Sequence, residues 1–68
     1  MEKKIEQAIL DAQKGEIEQH LIYKKLAKSA KDVHNRKVLE SIAVEELDHY
    51  DFWKKYSLKE IKPQRLVL

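Results

Sequence analysis

Glu46 and His49 stand three residues apart, a spacing that on an α-helix puts a carboxylate and an imidazole one above the other, able to point at one metal ion. Alone, the spacing is common. It gains meaning from Glu16, which falls among Ile9, Ala12 and Tyr23 as Glu46 falls among Leu39, Ile42 and Trp53. A carboxylate taken out of water without compensation is costly, so each inward-facing acid requires a cation, a hydrogen-bond partner or a proton. Two carboxylates and one imidazole make an oxygen-rich donor set that suits iron or manganese better than structural zinc, with zinc a common substitute. The chain has no Cys, which excludes a disulfide framework, a thiolate zinc site and a Cys nucleophile.

The elements that must hold these residues are helical. One Gly and one Pro, with abundant Glu, Lys, Leu, Ile and Ala and little strand-like alternation, predict an all-α chain. From Glu2 to about Ser29, the residues Ile5, Ile9, Ala12, Glu16, Tyr23, Ala27 and Ala30 fall within about 40° of one line at 100° per residue. That line is the expected inward face. A narrower stripe of Leu10, Ile17 and Leu21 lies about 140° away and offers a surface to another helix, one from a neighbouring molecule included. The apolar period lapses between Ala30 and Asn35, where Asp32 or Asn35 can cap a new helix. The second helix, about Val33 to Tyr56, gathers Leu39, Ile42, Ala43, Glu46, Tyr50 and Trp53 on one side, with Val38, His49 and Tyr56 on its flank.

A short connection makes the two helices antiparallel neighbours. Glu16 precedes Lys31, near the centre of the turn, by fifteen residues, and Glu46 follows it by fifteen. At 1.5 Å rise both lie roughly 22 Å from the turn, so the two carboxylates should meet, with His49 less than one turn further along. After the helix, Ser57 with Glu60 three residues later can cap one more turn, which Pro63 would stop. Residues 1–57 thus read as a helical hairpin and 58–68 as a short turn and tail, with Gln64 to Leu68 an exit strand or the beginning of a continuation.

Neighbouring residues carry smaller expectations. Tyr23, two turns beyond Glu16, reads as a core Tyr with a secondary role beside the ligands. His20, one turn from Glu16 and about 40° further round, is a candidate extra ligand or supporting residue, against the plainer reading of a flank His with a surface hydrogen bond. Trp53 follows His49 by one turn and is expected to pack there and shield the metal. Gly15 marks either close helix approach beside Glu16 or tolerated drift. Glu18, Glu45 and Asp48 point away from the line and read as solvated, and His34 sits in the turn.

At 68 residues, a single core of this size needs a metal, a disulfide or a partner to hold a fold. Charged residues form 38% of the chain yet sum to +2 and are interspersed, a solvated surface and not a nucleic-acid footprint. No apolar run approaches a membrane span, and Met1-Glu2-Lys3-Lys4 lacks the apolar core of a signal peptide, so a cytoplasmic location is expected, with membrane tethering by a further domain left open. Three ligands cannot close a two-metal site. A second copy of the hairpin would add three more, giving two Glu from first helices and two Glu-x-x-His from second helices, a four-helix di-iron arrangement.

Glu16-Ile17-Glu18-Gln19-His20-Leu21-Ile22-Tyr23, the Ala27 and Ala30 steps, and Ala43-Val44-Glu45-Glu46-Leu47-Asp48-His49 together resemble the first half of a rubrerythrin-type, ferritin-like domain, over about residues 5 to 56. The resemblance implies that Glu16, seven residues before Tyr23, is a metal ligand, that Tyr23 neighbours it, and that Glu46 and His49 supply the Glu-x-x-His. With the Phe52-Trp53-Lys54-Lys55-Tyr56 end and the Lys62-Pro63 exit, the chain is similar also to the cytosolic rubrerythrin-like segment ahead of vacuolar iron transporter-type membrane domains. Two departures matter. Only half of a rubrerythrin site is present, so the implied di-iron centre requires a homodimer, and no Cys is available for a rubredoxin iron centre. The expected function is therefore two iron ions bound per dimer site, with oxidation of ferrous iron or reduction of oxygen or peroxide. The alternatives are iron capture or sensing for a membrane transporter without turnover, and a metal-free helical oligomerisation module carried by Leu10, Ile17 and Leu21.

Overall fold

A computed structural model describes residues 2–63 as two α-helices, α1 (Lys3–Ser29) and α2 (Val33–Ser57), packed antiparallel as a hairpin. Gln64 to Leu68, read above as an exit strand or continuation, lie outside the described residues. The three-residue connection is fixed from both sides. Asp32 caps α2 by accepting the Asn35 amide at 2.9 Å, which settles the choice between the two candidate caps. Arg36 reaches back and donates from its guanidinium to the carbonyl of Ala30, the residue that ends α1, at 3.1 Å.

The apolar core is thin. Ala27, Ala43 and Tyr50 are the buried apolar side chains among the described residues, whereas Val38, Val44, Phe52 and Tyr56 stay exposed. Small Ala27 lets the helices approach near the turn, and small Ala43 lets them approach one turn before Glu46. Ile5, expected to face inward, is 53% exposed. The reason is length: Ser57, the last residue of α2, contacts Gln13, so the first turns of α1 extend past the end of their partner helix.

The chain does not form the extra helical turn anticipated from Ser57 and Glu60. Leu58 takes the left-handed conformation (φ 56°, ψ 24°) and its amide closes on the Lys54 carbonyl at 2.9 Å, ending α2 as a Gly often does. The backbone then reverses and residues 59–63 run back as a strap. Its bonds go to both helices. Gln13, completely buried on α1, donates from its side-chain amide to the Lys59 carbonyl and accepts from the Ser57 hydroxyl, both at 2.6 Å. The Ile61 amide donates to the Tyr50 hydroxyl at 3.0 Å, and ion pairs join Lys54 to Glu60 and Lys59 to Glu6. No described helix is long and apolar enough to cross a membrane.

Candidate metal centre

The antiparallel register brings Glu16 of α1 opposite Glu46 and His49 of α2. His49 Nδ1 lies 3.0 Å from Glu16 Oε2 and 3.9 Å from Glu46 Oε1. One ligand atom from each of the three residues can be chosen so that all lie within 4.8 Å of one another. The equal-height expectation is thus met at the level of atoms. Glu16 and Glu46 are mostly covered, with side-chain exposures of 24% and 20%, while His49 is 57% exposed and opens the cluster on one side. That opening is a shallow cleft lined by Glu16, Asp48, His49, Phe52 and Trp53.

The electrostatics follow from placing two acids together. Burial pushes the Glu46 carboxyl above its ordinary value near 4.5, the hydrogen bond to Glu16 and the Glu16 charge push it further, and the His49 imidazole partly opposes them. With Nδ1 of His49 set against Glu16, Nε2 is the ring's second nitrogen. Two carboxylates brought together beside an imidazole form a donor set that suits a divalent cation. The residues present therefore fit a metal ion of the oxygen- and nitrogen-loving kind.

The neighbours expected around the ligands occupy different positions. Trp53 lines the cleft, with Phe52 edge-on at 5.1 Å between ring centroids. Tyr23 is half-buried on α1. His20 is not part of the cluster and bonds across the hairpin, its Nδ1 2.6 Å from the Ala43 carbonyl oxygen. It forms part of a separate groove with Lys24, Ala27, Arg36 and Ala43. A Cβ at Gly15 would meet nothing within 4 Å, so within one hairpin this glycine marks no close approach. Sequence reasoning missed Gln13, a polar residue about 70° from the middle of the inward line at 100° per residue. Its faint signal was the spacing to Glu16, three residues on and hence one turn away.

The family model described as Rubrerythrin matches residues 3–67 of the chain. No curated protein and no solved structure matches.

Proposed function

The chain belongs to the rubrerythrin family, and we propose that it is half of a di-iron carboxylate site completed by a second copy of itself. Glu16, Glu46 and His49 of each copy would hold iron, six ligands and two ions per dimer, with manganese or zinc as substitutes. The observation that carries this reading is the convergence of three donor atoms within 4.8 Å, contributed by two helices with a thin monomeric core that nonetheless bring two partly covered acids together. Exposed Val38, Phe52 and Tyr56 lie on the flank of α2 that carries His49, a surface a second hairpin would cover while closing the site.

Bound iron would supply electrons for the reduction of dioxygen or peroxide. The protein's own contribution is to hold and neutralise charge. Burial and the neighbouring Glu16 hold the Glu46 carboxyl above its ordinary value, and Glu16 lies 3.0 Å from the His49 imidazole; a cation held between them would be balanced by both carboxylates. Trp53 and Phe52 line the cleft side. His20 would support α1 beside its ligand through the Ala43 carbonyl. The same ligands also serve capture without turnover, in which the domain hands iron to a membrane transporter. A metal-free oligomerisation module is favoured by one observation, that the His49–Glu16 bond already satisfies part of the cluster.

Anaerobic titration with Fe(II), followed by air, tests these readings. Uptake near one iron per chain, dimer formation and growth of near-ultraviolet ferric absorption are the expected results. Uptake with no absorption change on air would leave binding and remove oxidation. No uptake by wild type, with Glu46→Ala no less stable than wild type, would favour the metal-free module.

A further inference from the structure

A thin core sets helix directions but not their sliding position. A pair of helices whose buried apolar side chains, among the described residues, are two alanines and one tyrosine has little close packing to penalise a shift along its axis, and one residue of shift is about 1.5 Å, enough to separate a carboxylate from its metal. Hydrogen bonds are directional and do not tolerate such a shift. Where they cross the hairpin is therefore informative. Apart from the ligands, side chains of α1 reach across at two places near the site, and these bracket Glu16. His20, four residues after it, bonds to the Ala43 carbonyl of α2. Gln13, three residues before it, joins the Ser57 hydroxyl at the end of α2 and the Lys59 carbonyl of the strap.

Gln13 is the only fully buried side chain among the described residues, and both ends of its amide are satisfied at 2.6 Å. Burying an amide contributes little net stability relative to an apolar side chain of the same shape, but it penalises every register in which the partners do not meet. Tyr50, bonded to the same strap through Ile61, directly follows His49. The strap thus reaches one turn from the α1 ligand and one residue from an α2 ligand.

We propose that Gln13 is a positioning residue for the metal site: through Ser57 and the strap it holds Glu16 in register with Glu46 and His49 before any metal binds. This rests on the metal-binding reading above, and the test separates the two. Gln13→Leu keeps the volume and removes both bonds. Ser57→Ala, which removes one, is the milder companion should Gln13→Leu fail to fold. Ala27→Gly, a destabilising change near the turn, is the control for lost stability alone. Two measurements are made at temperatures of equal folded fraction: Co(II) affinity from its visible absorption, and, without metal, the nuclear Overhauser contact between Glu16 side-chain protons and the His49 ring.

The expected result is a roughly 10- to 100-fold loss of Co(II) affinity in Gln13→Leu, a smaller loss in Ser57→Ala, and affinity unchanged in Ala27→Gly. The Glu16–His49 contact should weaken in the first two and persist in the third. Wild-type affinity and an intact contact in Gln13→Leu would overturn the proposal, as would equal losses in the control. If wild type binds no Co(II), the metal-binding reading falls, and the metal-free contact alone decides whether Gln13 sets the register.

Discussion

The two ends of the hairpin are closed by different means. At the turn, closure is local: three connecting residues, a cap from Asp32, a guanidinium on Ala30 and the small side chain of Ala27. At the open end it is long-range, since Gln13 is bonded to residues 44 and 46 positions away. Glu16, Glu46 and His49 lie between the two. The difference teaches that a chain with little apolar surface to bury can close a turn with nearest-neighbour chemistry, but must use specific polar bonds where no covalent link limits sliding.

Mutations that disable one end at a time sharpen this comparison. Tyr50→Ala removes a buried ring and the strap's anchor together, and should cost about 3–4 kcal/mol, enough to unfold a metal-free monomer in a urea titration. Ala27→Leu overpacks the turn end and should cost about 1–3 kcal/mol in the same titration, without releasing the strap. Asp32→Ala, the loss of a single cap, should cost about 1 kcal/mol. A turn-end loss larger than that from Tyr50→Ala would invert the comparison.

Between the ends, the sign of a pH effect is the test. The Glu46 carboxyl titrates above 4.5 in the folded chain, so the folded state binds more protons than the unfolded one over that interval. Metal-free stability should therefore fall as pH rises from about 4.5 through the raised value, then level off with respect to this group. Glu46→Gln should remove that fall and be more stable than wild type above the interval, while losing metal affinity. Thermal melts of both chains without metal across the acid range check this; a wild type that gains stability there relative to Glu46→Gln would contradict it.

What the sequence made legible follows the same division. The proximity of Glu16, Glu46 and His49 could be anticipated because it depends on helix periodicity and equal distance from a turn, both written in local spacing. Asp32 was visible as one of two possible caps. Gln13 was not, because its burial depends on a strap that returns from beyond the far end of α2. The strap was equally hidden. It begins with a leucine in a left-handed conformation that side chains of its kind rarely adopt, and Ser57 with Glu60 reads locally as the start of another helical turn. Tertiary bonds from Gln13 and Tyr50 override that local preference. Ile5 failed for a related reason: periodicity gives the face of a helix but not where its neighbour stops.

Trp53, the only tryptophan in the chain, lines the cleft with Glu16 and His49. The protein thereby carries its own optical gauge. A paramagnetic ion held by those ligands would quench indole emission and a closed-shell ion such as Zn(II) would do so far less, so occupancy and the chemical kind of the occupant could be read from intrinsic fluorescence without any label.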